Sequence, residues 1–198
     1  MSSGPSLPII KMILVGHSRV GKTSILLRYV DGTFSTSPYA GIGLDFKIKV
    51  MSVEEETFKL QIWEPGGGER FRSLAPSYYR GASVVLLVYD VNCKDSFDNL
   101  ATFQEEMNKC IEYEHVLRVL IGNKVDLERL VERSEAEEYA MRHKMVYYEC
   151  SAKSGDGVND VFQSAVAGIV NSPGWREMFN SRRGNQSNEE KNAICCCC

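Results

Sequence analysis

Lys22 and Thr23 close the stretch GHSRVGKTS, Gly16 to Ser24, which fits the pattern GxxxxGK[ST]. That spacing suits phosphate chemistry: glycines let the chain bend closely around an oxyanion, and successive backbone N–H groups turn inward as donors. Ser18, Arg19, Val20, Gly21, Lys22, Thr23 and Ser24 would supply that cradle, with Lys22 reaching the β- and γ-phosphates and the Thr23 hydroxyl facing Mg²⁺. An apolar strand precedes the loop and a helix follows it, so the helix N-terminus adds unsatisfied donors and a favourable dipole. The plainer reading of the same residues is a glycine-rich turn. Arg19 either brings a guanidinium near the phosphates or points into solvent with only its backbone engaged. His17 fits a turn position better than acid–base work, because phosphoryl transfer of this kind rests on positioning and electrostatics.

Two later segments choose the base. NKVD, Asn123 to Asp126, follows an apolar run, and the Asp126 carboxylate can accept from the N1–H and 2-amino donors of guanine, a pair that adenine lacks. SAK, Ser151 to Lys153, follows another strand and can complete the pocket at the carboxyl edge of a sheet. Asn123, Lys124, Asp126, Ser151, Ala152 and Lys153 are therefore candidate base-binding residues. Each segment alone would also suit a solvated loop; their order after the phosphate loop carries the functional reading.

Such loops need a sheet to hold them. Apolar runs alternate with amphipathic stretches from residue 9 to about 170, the pattern of an α/β domain with helices on both faces of its sheet. Strands are expected near Ile9 to Val15, Leu44 to Val53, Thr57 to Trp63, Ser83 to Tyr89, Val116 to Ile121 and Val146 to Glu149. Only Glu54 to Glu56 separates the second from the third, too short for a crossover helix, so these two pair antiparallel in a six-stranded, mostly parallel sheet. Helices are expected over Lys22 to Val30, Ser96 to Tyr113, Ser134 to Arg142 and Val158 to Val170. Asp95 and Ser134 read as N-caps, the latter with Glu137 as a capping box. Residues 1–8 read as an N-terminal extension, 9–171 as the domain and 172–198 as a flexible tail.

The 198 residues suit one core, and 43% hydrophobic with 25% charged residues is ordinary for a globular domain. A formal charge of −3 gives no general attraction to nucleic acid. No apolar run reaches the ~18 residues a spanning helix needs, and Lys11 interrupts the first apolar stretch against a secretory signal. A cytosolic setting is expected. Of seven cysteines, Cys93, Cys110 and Cys150 are scattered and four are terminal, which is no disulfide framework.

With these motifs in place, the chain resembles the Ras superfamily and within it the Rab family over about residues 9 to 171. IGLDF from Ile42, KLQIW from Lys59, ERFRSL from Glu69, YYRGA from Tyr78 and LVYDV from Leu87 carry the likeness. The resemblance implies a G-domain that binds GTP and GDP with Mg²⁺, Phe34 against the guanine (or simply a core residue), and Gly67 donating its N–H to the γ-phosphate. It also marks departures: Gly41 stands where the family has a Mg²⁺-ligating Thr, Glu64 where it has Asp, and Gly68 where a Gln orients the attacking water. Glu64 keeps the charge on a longer arm and is a candidate metal contact with Thr23. No residue offers itself as a catalytic group, and slow hydrolysis is expected.

The last four cysteines resemble Rab prenylation signals, with Cys197 and Cys198 as the modified pair; consecutive thiolates on a frayed end cannot easily converge on one metal ion. Two lipids give stable anchoring. By resemblance the partners are a Rab-type escort, a GDP-dissociation inhibitor, an exchange factor and effector proteins, on the cytoplasmic face of an intracellular membrane with a cytosolic pool. The leading expectation is a Rab-like trafficking switch. A prenylated pseudo-GTPase adaptor and, against Asp126, an adenine-specific phosphotransferase are the alternatives.

Overall fold

A computed structural model describes residues 7–36, 46–65, 75–111 and 115–177. In chain order the elements are β1 (Ile9–Val15), α1 (Lys22–Asp31), β2 (Phe46–Val53), β3 (Glu56–Trp63), α2 (Ala75–Tyr79), β4 (Val84–Asp90), α3 (Lys94–Asp98), α4 (Leu100–Cys110), β5 (Leu117–Asn123), α5 (Arg133–Arg142), β6 (Val146–Cys150) and α6 (Val158–Val170). The six strands form one sheet in the order β2-β3-β1-β4-β5-β6. β2 and β3 pair antiparallel, with Val53 opposite Glu56 across the hairpin, and every other pairing is parallel.

The period-two alternation of β1 explains the two layers of core. Ile10, Met12 and Leu14 turn to one face, where they join Ile25 and Leu26 of α1 and Phe162, Val166 and Ile169 of α6. Ile13 and Val15 turn to the other, with Leu100 and Met107 of α4 and Ala136 and Ala140 of α5. β4 lies mid-sheet under both layers, and all seven of its residues are buried. At the edge, β2 shows Ile48 and Val50 to solvent but interleaves them with Lys47 and Lys49, which discourages pairing with another strand.

Three local expectations need correction. The helix read over Ser96 to Tyr113 is two: Asn99 separates α3 from α4, its side-chain amide donating to the Asp95 carbonyl at 2.7 Å while Thr102 N–H takes the Asn99 carbonyl in a tighter i−3 bond. Asp95 therefore sits inside α3, with Cys93 at the N-cap, and Ser134 sits inside α5, with Glu132 at the N-cap; neither helix has a side-chain capping bond. Core packing also runs past Asn171. A helical turn over 173–177 seats Trp175 beneath the sheet, 3% exposed, with its Nε1–H donating to Ser83 Oγ at 3.2 Å and its ring 6.3 Å from that of Phe58.

Candidate functional site

Four strand ends deliver the site. β1 runs into the phosphate-type loop, β4 ends at Asp90, β5 at Asn123 and β6 leads to Ser151, so all four open at the carboxyl edge of the sheet. The loop folds back tightly: a methyl group on Gly16 would lie 2.2 Å from the Val88 carbonyl oxygen, and one on Gly21 2.4 Å from Asn123 Nδ2. Gly21 takes φ 95° as the N-cap of α1, a conformation only glycine adopts cheaply. α1 has no side-chain cap and no acidic residue in its first turn, which suits its N-terminal N–H groups to an anion.

Lys22 is 5% exposed, and its Nζ donates to the carbonyls of Gly16 at 2.9 Å and His17 at 2.8 Å, spanning the loop from within. Burial lowers its pKa, and the Glu64 carboxylate partly restores it. Arg19 takes φ 66° with an exposed side chain, and its carbonyl accepts from Lys124 Nζ at 2.9 Å. The same Lys124 ammonium pairs with Asp90 Oδ2 at 2.6 Å, so it ties β4, β5 and the loop together.

On the opposite side, Asn123 is buried and uses its amide as a joint: Nδ2 donates to the Val20 carbonyl at 2.8 Å and Oδ1 accepts from Ala152 N–H at 3.2 Å. Ser151 Oγ donates to Asp126 Oδ1 at 2.6 Å, and Lys153 Nζ lies 3.6 Å from Asp126 Oδ2. The Ser151 hydrogen bond, outweighing burial, holds the Asp126 carboxyl below the usual carboxylate range.

These pieces enclose one cavity of about 720 Å³, lined by Arg19, Gly21, Lys22, Thr23 and Ser24 from the loop and the start of α1, and by Phe34, Asn123, Lys124, Asp126, Ala152 and Lys153 from later segments. Glu64 joins the lining beside Thr23. Ser18 and Val20 instead border a smaller recess behind the loop, with His17, Asp90 and Cys93. Ser151 acts through Asp126 rather than by facing the cavity. Gly67, Gly41, Gly68, Cys197 and Cys198 lie outside the described residues.

A family model described as the Ras family matches residues 11–171. The chain is similar to the Ras-related protein Rab-18-B of Danio rerio, 40% identical over 186 residues, covering 93% of this chain and 91% of that protein. It is likewise 40% identical to Rab-18 of Lymnaea stagnalis over 95% of each chain, and 35% identical to Rab-13 of Rattus norvegicus over 95% of each. The chain belongs to the Rab family of small GTPases.

Membership gives this Rab-family chain the family's general role, guanine-nucleotide binding in membrane traffic. A Mg²⁺ ion is part of that general chemistry, and the residues present fit one: Thr23 Oγ1 donates to Glu64 Oε1 at 2.6 Å, so a hydroxyl and a carboxylate, both hard oxygen donors, stand together in the cavity that Lys22 also lines. Glu64 is 8% exposed and lines the cavity beside Thr23. Among the described residues no helix is long and apolar enough to cross a membrane.

Leu27, Ser35, Thr36 and Leu127 also line the cavity, outside the phosphate- and base-type segments, and Asp90 of LVYDV serves it indirectly. Leu27 lines the cavity one helical turn beyond Thr23, which the period of α1 signals. Asp90 fixes Lys124, and its signal is a lone carboxylate ending an otherwise apolar strand level with Asn123.

Proposed function

We propose that this Rab-family protein is a guanine-nucleotide switch of vesicle and membrane trafficking, with weak intrinsic GTP hydrolysis. The observation that carries the reading is that Lys22, Thr23 and Glu64 line the same cavity as Phe34 and Asp126. Its volume suits a nucleoside diphosphate or triphosphate. Lys22 and the α1 N-terminus take the phosphates, and Asp126 accepts the two guanine donors. Ala152 and Lys153 supply the wall beside the base, and Phe34 its face. Gly67, by its place in the family pattern, adds a backbone donor to the γ-phosphate.

Thr23 and Glu64 would hold Mg²⁺, which supplies charge neutralisation at the β- and γ-phosphates when bound. Weak hydrolysis follows from the sequence: Gly68 has no side chain with which to orient a water, and Gly41 no hydroxyl for the metal. Cys197 and Cys198 carry the prenyl groups that seat the protein on the cytoplasmic face of an intracellular membrane. A Rab-type escort, a dissociation inhibitor, an exchange factor and effectors are the partners this reading requires.

The test is to purify the protein without added nucleotide, denature it and identify the released compounds by chromatography. Near one equivalent of guanine nucleotide, rich in GTP, is expected. A protein carrying adenine nucleotide, or none, overturns the binding reading. Single-turnover hydrolysis as fast as in a Rab with the usual switch residues overturns the slow step alone.

A further inference from the structure

Arg28 belongs to no motif and does not line the cavity, yet two of the three carbonyls that its guanidinium holds belong to cavity-lining residues after β6. From the last turn of α1, Nε donates to the Ala152 carbonyl at 2.9 Å, Nη2 to the Lys153 carbonyl at 2.8 Å and Nη1 to the Gly32 carbonyl at 2.9 Å. Its charged carbon lies 5.9 Å from the centroid of the Phe34 ring. One planar fork thus joins the helix, the loop after β6 and the aromatic residue that follows α1.

We propose that Arg28 is a positioning residue that sets the residence time of the guanine nucleotide, by pinning the 152–153 backbone and Phe34 around the base. The proposal rests on the guanine-nucleotide reading above. The physical argument is directional. Three carbonyls from three chain positions fit the fixed fan of guanidinium donors, and a lysine ammonium, a single point on a flexible stem, cannot hold all of them in that geometry. Ala152 is also the residue whose N–H meets Asn123 Oδ1, and Ser151, its neighbour, holds Asp126. A shift of this loop therefore disturbs both the wall of the pocket and the aim of its carboxylate, while Lys22, Thr23 and Glu64 keep their own contacts.

The experiment measures association and dissociation of fluorescent GDP and of IDP, which lacks the 2-amino group, on the full chain and on Arg28→Lys and Arg28→Met. Val166→Ala, in the α6 core away from the site, serves as a control of general destabilisation. Both Arg28 variants are expected to release GDP about tenfold faster, the loss expected for charge-assisted bonds partly replaced by water. Their association rates should stay within about twofold of wild type. Their GDP-over-IDP preference should fall, and Val166→Ala should keep both the rate and the preference. Wild-type release from Arg28→Lys, or equal effects from Val166→Ala at matched loss of melting temperature, overturns the positioning role and leaves the nucleotide reading standing. A wild-type protein that binds neither nucleotide removes that reading and the proposal with it.

Discussion

At the scale of single residues, the proposed reading gives Asp126 the choice of base, and its partners make that choice testable. Exchanging the carboxylate for an amide replaces an acceptor by a donor, which matches a base carbonyl instead of the 2-amino group. Asp126→Asn should lose GDP affinity by on the order of a hundredfold and gain affinity for XDP, measured by competition titration. Unchanged GDP affinity would mean that the base lies elsewhere. The same carboxylate has a pH signature. Because Ser151 depresses its pKa in the folded protein, its stabilising contribution is fully present above the unfolded value of ~3.9 and is lost as pH falls through the lower folded value. Ser151→Ala should raise the folded pKa toward ~3.9, so that GDP release on acidification begins at higher pH. Carboxyl NMR of Asp126 in the two proteins checks the direction.

At the scale of elements, the last turn of chain before residue 178 is a structural part of the domain. Trp175 fills a hole between Phe58 of β3 and Ser83, and Gly174 approaches His115 so closely that a methyl group there would lie 2.2 Å from the ring nitrogen Nδ1. Trp175→Ala should cost about 3–5 kcal/mol of folding stability, read from denaturant unfolding, whereas loss of under about 1 kcal/mol would show the indole to be dispensable. A second element-level device backs the base pocket. Arg129, three residues past Asp126, grips Glu149 through two bonds of 2.8 and 3.0 Å, and Glu149 accepts from Tyr147, whose hydroxyl meets that of Tyr89 at 2.9 Å. Burial alone would raise the Glu149 pKa, but these donors outweigh it and hold it low. The network braces β6 against the loop that carries Asp126.

At the scale of the whole molecule, the site is a property of the sheet's carboxyl edge, so occupancy and folding are linked. A nucleotide bound only by the folded state at about a hundred times its Kd adds ~2.7 kcal/mol. For a domain of this size that corresponds to roughly 5–10 °C in melting temperature. GDP should give that rise in a thermal scan and ADP at the same concentration should not; equal shifts would contradict base selection by Asp126.

The sequence alone determined what depends on neighbours in the chain. Apolar runs alternating with amphipathic stretches located all six strands because strand burial is written into consecutive residues, and GHSRVGKTS, NKVD and SAK were legible because each packs its chemistry into a few consecutive residues. Helix ends were less legible: capping by Ser134 and Asp95 competes with other turn geometries of similar energy, and the break at Asn99 depends on a side-chain bond that no periodicity reveals. The polar stretch after Asn171 hid one aromatic anchor, since a single Trp has no repeat to announce it. Tertiary structure alone decided the rest. Thr23 meets Glu64 across 41 residues and Arg28 meets Ala152 across 124, and contacts at such separation are fixed by how the sheet orders its strands rather than by any local preference.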